Sequence, residues 1–365
     1  MTGRRVTILG AGNGAQTMAG HLASQGHEVS LFEHPDYPQK IEDIRSKGSR
    51  IALTNTIEAT GTLRVATTDA AEALKGAEII FFAAPTFAQR PIFELVLPHF
   101  EEGQTIVIIP GNFGSLALRK MLEDRGVKKR LYIAECDTLP YATRLIENGR
   151  CNVWGIKDFV ALGTLPGSDY DAVTKKLGGV FPVETEKVPN VLGAGLSNAN
   201  MIVHCPTMLM NAGRIESEKG AFRFYTDGMS PSVCRVQEAL DRERTDVARA
   251  LGIELASTAL KLKGMYRLSG NTLHELLAEN PAYGAHGNDA PKEMGHRYFS
   301  EDVPYLLAPL SEFGRIVGCP TPVADSIILL AGIVNGADYS NLGWNAEKLG
   351  LAGLSRDEIV EKMSG

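Results

Sequence analysis

Two domains of unlike class are expected in this 365-residue chain: an α/β domain built on a parallel sheet over residues 1–186, and an all-α domain over 187–365. Three observations lead there. As far as Glu186, short apolar runs alternate with helical stretches, which is the pattern of repeated βαβ units. A glycine-rich turn stands between the first apolar run and the first helical stretch. From Val188 onwards runs of strand length nearly vanish and the apolar spacing becomes helical.

Composition narrows the classes of function. A net charge of −6 without a long basic cluster argues against nucleic acid as the main partner, because phosphate binding needs concentrated Lys and Arg. The longest apolar runs, such as Ile327 to Val334, fall well short of the roughly 20 residues of a spanning helix. Met1 to Arg5 leads straight into an apolar strand rather than a signal peptide, so a cytoplasmic protein is expected. Five cysteines with no C-x-x-C spacing indicate neither a disulfide framework nor a thiolate metal site. No metal is expected, and a homodimer is left open.

In chain order, the apolar run Val6 to Leu9 ends in Gly10-Ala11-Gly12-Asn13-Gly14-Ala15 and passes into a helical pattern through Met18, Leu22 and Ala23 to Gly26. A second strand, Val29 to Phe32, ends at Glu33, 23 residues after Gly10. Strand, glycine turn, helix, strand and acidic residue together form the Rossmann fingerprint G-x-G-x-x-G/A of dinucleotide-binding domains. Gly10 permits the tight turn, Gly12 lets the backbone approach a pyrophosphate, and Ala15 allows close helix packing. The helix N-terminus at Asn13 and Gly14 offers unpaired N–H groups to the phosphates. A carboxylate at Glu33 accepts ribose hydroxyls and repels a 2′-phosphate, so NAD is the expected cofactor. His34, Lys40 and Arg45 follow closely enough to leave NADP open.

Strands are expected next at Ile51 to Leu53 and Leu63 to Ala66, a helix at Asp69 to Leu74, and a buried strand at Glu78 to Ala84. Ligands of open α/β sheets lie beyond the carboxyl ends of the strands, which makes Pro85 and Thr86 candidate cofactor contacts. The strand Thr105 to Ile109 runs through Pro110-Gly111-Asn112-Phe113-Gly114 into a helix from Ser115 to Arg125, and two glycines at that corner fit a backbone that passes close to something. Leu131 to Glu135 leads to a segment crowded with charge and hydroxyl groups, ending at Arg144. Glu135 and Tyr141 are candidate substrate contacts there, the alternative for Glu135 being a surface charge or a structural ion pair with Arg144. Strands at Val153 to Ile156, Phe159 to Leu165 and Val183 to Glu186, with a helix at Asp169 to Leu177, complete the first domain.

The second domain opens on Ser197 to Glu216, an apolar helical run interrupted by two asparagines, a histidine and a proline. Asn200 and His204 are four apart and share a helix face. Pro206 has no N–H to give and its ring crowds the carbonyl of Ile202, so a kink or break is expected beside His204. Cys205 points about 100° away from its neighbour and makes a poor partner for it. Val233 to Leu251 reads as an amphipathic surface helix and Thr272 to Ala278 as a shorter one. Asn280 to His296, rich in glycine, proline and polar residues, reads as a long binding loop or lid. An apolar helix at Val323 to Val334 and a charged one from Ser355 end the chain.

These segments resemble the octopine/nopaline dehydrogenase class of opine dehydrogenases over nearly the full length. The resemblance rests on the N-terminal fingerprint, on Glu135 to Arg144 as E-x-x-x-L-P-Y-A-x-R, on Asn200-x-x-x-His204-x-Pro206 with Asn211-x-Gly213-x-Ile215-Glu216, and on Arg297-Tyr298-x-x-Glu301-Asp302-Val303-Pro304. It implies NAD(P)H-dependent reductive condensation of an amino acid with a 2-keto acid such as pyruvate, with substrates held between the two domains. It further implies that His204 is the catalytic acid/base, that Asp302 orients it, and that Arg297 binds the keto-acid carboxylate; with an amino acid as substrate, Glu135 would favour a basic one. The residue types suit these roles. Imidazole can both take and give a proton near neutral pH, an aspartate behind it fixes the tautomer, and a guanidinium fork matches a carboxylate.

Two other readings compete. A two-domain dehydrogenase of the glycerol-3-phosphate or ketopantoate type would rely on a lysine in the helical domain, whereas the opening helix carries His204 and no lysine before Lys219. A non-catalytic NAD-binding regulator would need the cofactor fold but not His204, Arg297 and Asp302 together.

Overall fold

The computed structural model describes residues 3–280 and 290–365. They divide into two compact units, one running through Gly195 and taking in Glu361–Gly365, the other comprising Leu196–Val360. Of the long polar stretch expected to form a loop or lid, residues 281–289 lie outside the described residues. Among the described residues no helix is long and apolar enough to cross a membrane.

The first unit is the expected α/β domain. Strands β1 (Arg5–Leu9), β2 (Glu28–Phe32), β5 (Val65–Thr67), β6 (Ile79–Phe82), β7 (Thr105–Ile108), β8 (Tyr132–Cys136), β11 (Phe159–Leu165) and β12 (Glu184–Lys187) form one sheet in the order β12-β11-β8-β7-β6-β1-β2-β5. Every pairing is parallel except β11 with β8. The strands are apolar throughout because both faces are covered. Ile79 and Phe81 enter one core and Ile80 and Phe82 the other; Val107 and Ile106 divide the same way. Alternate side chains of a strand point to opposite faces, so one run of sequence supplies both layers.

From β1 the chain order proceeds in one direction through β2 to β5 and in the other through β6 to β8. The carboxyl end of β1 is therefore the topological switch point, where open α/β sheets leave a crevice for ligands.

A second sheet was not foreseen. β3 (Arg50–Asn55), β4 (Ala59–Thr62), β9 (Tyr141–Glu147) and β10 (Arg150–Ile156) pair in the order β4-β3-β10-β9, and helix α1 (Asn13–Ser24) packs on it. The close approach uses small residues: a Cβ on Gly20 would stand 2.7 Å from Ile51. The expected strand at Leu63 to Ala66 is replaced by two short ones, β4 ending at Thr62 and β5 beginning at Val65, which belong to different sheets. The supposed substrate segment Tyr141 to Arg144 is strand β9, antiparallel to β10.

The second unit is helical. Its opening run is three short helices, α2 (Asn200–Val203), α3 (Cys205–Met210) and α4 (Ala212–Glu218), broken at His204 and Asn211. A 20-residue helix, α5 (Pro231–Ala250), is capped by the Ser230 side chain on the Val233 N–H. The helix α6 (Leu273–Glu279) starts with a full capping box between Thr272 and Glu275. Later come a short turn of helix at Arg297–Ser300, helices at Ala308–Val317 and Pro322–Asn335, and the last at Arg356–Ser364.

Candidate active site

The glycine turn occupies the switch point. Gly10 has φ +101°, donates its N–H to the Phe32 carbonyl at 2.8 Å, and would set a Cβ 2.9 Å from the Ala83 carbonyl oxygen. Only glycine meets both demands. At Gly12, by contrast, a Cβ would meet nothing within 4 Å. The space over that backbone is open, as a pyrophosphate requires. Gly12 is also the N-cap of α1, which has no side-chain cap and no acidic residue in its first turn. An uncapped, uncontested helix N-terminus facing open space fits a phosphate group.

Glu33 follows β2 directly and is almost wholly buried. Its Oε2 accepts from the Ala11 N–H at 3.2 Å and from Lys40 Nζ at 2.9 Å, and its Oε1 from the His34 N–H at 3.0 Å. A carboxylate has about four lone-pair sites, so three donors leave room for a ribose hydroxyl. Lys40 is the one side-chain donor of the three and is two-fifths exposed. The residues at this site fit a dinucleotide.

Other candidates in the first unit have inward roles. Asn13 Oδ1 accepts the Leu145 N–H of β9 at 2.9 Å, and Gly14 is overlaid by Leu139, which would stand 2.7 Å from a Cβ there. Thr86 is buried, and its Oγ1 accepts from Asn112 Nδ2 at 2.8 Å, tying the loop that Pro85 begins after β6 to the loop after β7. Ala15 is buried in the core.

The two substrate candidates of this unit are buried. Glu135 is wholly buried and accepts from the Phe113 N–H at 3.1 Å, the Ser115 N–H at 3.2 Å and Ser115 Oγ at 2.6 Å. It is what the Gly111 backbone passes: a Cβ on Gly111 would collide with the Glu135 side chain. The carboxyl group holds a loop in which Asn112 and Phe113 both take positive φ, and burial pushes its pKa up to about 7 against the pull of those donors. Its oxygens are committed inward, to Phe113 and Ser115, rather than toward a substrate. Tyr141 is likewise buried, its hydroxyl 3.0 Å from His21 Nδ1 on α1, and burial raises its pKa. Both side chains are held inside the first unit.

In the second unit the structure brings together the two residues proposed as a pair. His204 Nδ1 lies 2.7 Å from Asp302 Oδ2, and both side chains are more than nine-tenths buried. The break beside His204 is present and its polar consequences are met locally. Pro206 sits in the first turn of α3, where a missing N–H costs least. The Val203 carbonyl at the break accepts from Thr207 Oγ1 at 2.6 Å and from Gln237 Nε2 of α5 at 3.2 Å. His204 still bonds Asn200 and Met208 through its backbone, so the ring is fixed at a helix joint rather than in a loose loop. Asp302 is held from the other side, at the head of a π-helical turn, Val303–Leu307; such turns recur at functional sites. Cys205 is buried, and that burial pushes its thiol pKa well above the usual value, which disfavours the thiolate that a nucleophile needs.

Arg297 stands at the start of the short helix before Asp302, more than half exposed, with Nη2 3.0 Å from Glu301 Oε2. A guanidinium has five N–H donors, so one ion pair does not exhaust it. Asn200 lies one helical turn before His204, its backbone N–H on Asn198 Oδ1 at 2.9 Å.

Sequence reasoning missed the rest of the cluster. Tyr225 brings its hydroxyl 2.9 Å from His204 Nε2, and the ring of Tyr298 stacks on the imidazole with centroids 3.7 Å apart and planes 18° from parallel. The two hydroxyls are 3.3 Å apart. Tyr225 is presented by a closed turn in which the Asp227 and Gly228 N–H groups bond the Arg223 carbonyl, and Asn211 Nδ2 anchors the turn through the Gly228 carbonyl at 2.8 Å. In the run Phe222-Arg223-Phe224-Tyr225 nothing sets this tyrosine apart from the buried aromatics at 222 and 224.

A dinucleotide turn in an α/β domain, followed by a helical domain with a His–Asp pair, defines a two-domain NAD(P)-dependent oxidoreductase. Residues 187–335 match the family described as NAD/NADP octopine/nopaline dehydrogenase, alpha-helical domain, and residues 5–111 match the NAD-dependent glycerol-3-phosphate dehydrogenase N-terminus. The chain is 33% identical to an opine dehydrogenase of Arthrobacter sp. (strain 1C) over 349 residues, covering 95% of each chain. Among solved structures it is similar to octopine dehydrogenase determined with NADH and L-arginine (TM-score 0.81, 21% identity, covering 99% of this chain and 98% of that one). It is also similar to yersinopine dehydrogenase bound to NADP+ (TM-score 0.74, 16% identity, 99% and 98%). The chain belongs to the opine dehydrogenase family and is an NAD(P)-dependent oxidoreductase acting on CH–NH bonds.

Proposed function

We propose that this protein condenses an amino acid with a 2-keto acid, pyruvate being the first to test, in a reaction whose proton traffic runs through His204. The Asp302–His204 pair carries this reading. NAD(P)H, when bound, supplies the hydride that reduces the condensed C=N group. The rest is the work of this chain. The nucleophilic amine must be unprotonated, and a neutral imidazole whose Nδ1–H is held by Asp302 can take that proton at Nε2. When the carbinolamine expels water, the imidazolium returns a proton to the leaving oxygen, and the Asp302 charge favours the protonated ring in the interval. Arg297 binds the keto-acid carboxylate with its fork, and Asn200 offers an amide on the same side of the helix joint.

Gly10, Gly12, Asn13, Gly14 and Ala15 form the pyrophosphate turn, with Pro85 and Thr86 at the neighbouring strand end. Glu33 receives the ribose, which favours NAD, while Lys40 beside it keeps NADP within reach. Free thiols at all five cysteines fit a cytoplasmic location. A homodimer is the proposed assembly, supported by the exposed apolar row Leu329, Leu330, Ile333 and Val334, and sedimentation tests it.

The deciding assay incubates the protein and NADH or NADPH with pyruvate and a panel of amino acids and follows cofactor oxidation. Oxidation that needs both partners is expected. Oxidation with a keto acid alone, indifferent to any amine, would favour a hydroxy-acid dehydrogenase, and tight cofactor binding without turnover of any pair would favour a regulator.

A further inference from the structure

Every polar atom of the His204 ring is engaged. Nδ1 is bound to Asp302 at 2.7 Å and Nε2 to the Tyr225 hydroxyl at 2.9 Å, one face is covered by Tyr298, and the residue is only 5% exposed. Asp302, an acceptor when ionised, fixes the neutral tautomer with its proton on Nδ1. Nε2 is then an acceptor, and Tyr225 must donate to it. The nitrogen that is to exchange protons with substrate therefore already holds a phenol, and Tyr225 is partly exposed where His204 is buried.

We propose that Tyr225 is the proton relay between His204 and the substrate. The proposal rests on the reading of His204 as the acid/base. In the first transfer the amino-acid ammonium gives a proton to Tyr225 Oη as the phenol's own proton passes to His204 Nε2, which leaves a free amine, a neutral tyrosine and an imidazolium. In the second, the carbinolamine C–O bond breaks as Tyr225 gives its proton to the departing oxygen and recovers one from Nε2. Water leaves, the nitrogen lone pair closes the iminium, and the neutral imidazole is restored. The borrowed proton is returned and no other reactant is needed. A phenol suits the task because one oxygen both donates and accepts. Tyr298, 3.3 Å away through its hydroxyl, holds the relay oxygen on line.

The test is Tyr225→Phe, which keeps the ring and its packing and deletes one oxygen. The expected result is a fall of about 10²-fold in kcat, with the KM for both substrates within about threefold of wild type. NADH affinity by fluorescence titration should be unchanged, which also reports a folded protein. A second readout is the proton inventory of kcat/KM in mixed light and heavy water. It should bend in wild type, where two protons move together, and lie straight and slower in the variant; a merely structural tyrosine would not alter its shape. Unchanged or faster turnover of Tyr225→Phe beside an active wild type would overturn the relay alone and mark the phenol as a removable cover. A wild type inactive with every keto acid and amine, yet binding NADH, would overturn the reading of the site and the relay with it.

Discussion

Replacing Asp302 by asparagine separates what the carboxylate does by shape from what it does by charge. The amide is nearly isosteric, and its oxygen can accept the Nδ1–H at the 2.7 Å now taken by Oδ2. The neutral ring can therefore stay where it is, and little stability should be lost. What disappears is the negative charge that faces the ring once it becomes an imidazolium. The two charge centres are about 4 Å apart, and at an effective dielectric of about 20 their attraction is worth about 4 kcal/mol. If the amide instead turns its NH₂ to Nδ1, the tautomer is reversed and Nε2 carries the proton that Tyr225 must then accept, which is no better for catalysis. Each 1.4 kcal/mol or so is a factor of ten, so Asp302→Asn should lower kcat by about 10²–10³-fold. NADH absorbance in the presence of both substrates gives the rate, and fluorescence titration should show NADH affinity within about twofold of wild type. A loss of less than about threefold would refute the assignment, because a pair this short and this buried would then contribute nothing to the proton transfers.

Other expectations concern the first unit. Gly10→Ala forces a Cβ into the left-handed region and against the Ala83 carbonyl, and should cost about 2 kcal/mol or more of stability in denaturant titrations. Gly12→Ala meets no neighbour and should cost under about 1 kcal/mol while weakening NADH binding about tenfold or more, so the two glycines part company between stability and binding assays. Lys40→Ala removes the cation beside Glu33 and should weaken NADPH more than NADH in parallel titrations. Glu135 has its folded pKa raised from 4.5 to about 7, so between those values the native state holds the extra proton. Stability from this group is thus full at the acid end and lost as pH rises through about 7, by about 3 kcal/mol. The thermal midpoint should show that falling component between about pH 4.5 and pH 7, and Glu135→Gln should remove it.

How much of this was legible in the sequence depends on the range of the forces involved. The parallel sheet was readable because strands buried on both faces are continuous apolar runs, and the fingerprint because each glycine answers a local backbone demand. β9 was not. Tyr141 to Glu147 is an edge strand with buried and exposed positions interleaved, and its charges looked like chemistry when they are one solvated face of a small sheet. Glu135 was not legible for the opposite reason: a carboxyl group at a strand end can turn outward to a ligand or inward to orphan N–H groups, and it turns to those of Phe113 and Ser115, about 20 residues upstream at the start of the helix Gly114–Asp124. The break at His204 was predictable because proline acts on its own turn, whereas the partner at Nε2 was not, since Tyr225 arrives through a turn held by Asn211.

The cluster in the second unit also bears on why Asn211 and Pro206 accompany the histidine in the motif. A single straight helix from Ser197 to Glu216 would give His204 one fixed projection and no exposed carbonyl. Breaking the run at His204 and again at Asn211 yields three short segments, each too short to hold itself in water. They are held instead by side chains that bond backbone across the breaks: Thr207 and Gln237 on the Val203 carbonyl, and Asn211 on the carbonyls of Thr207 and Gly228. Those bonds also fix the positions of the ring and of Tyr225 relative to each other, because Asn211 reaches both α3 and the Tyr225 turn. Asn211→Ala should accordingly lose about 1–3 kcal/mol of stability through the Gly228 carbonyl it leaves unpaired, while the Thr207 carbonyl keeps the backbone N–H of residue 211. The variant should also lose kcat without touching Tyr225, Asp302 or the ring itself. If the stability falls and the rate does not, the two tyrosines and the histidine are held together by their stacking alone, and the breaks in the helix serve only packing.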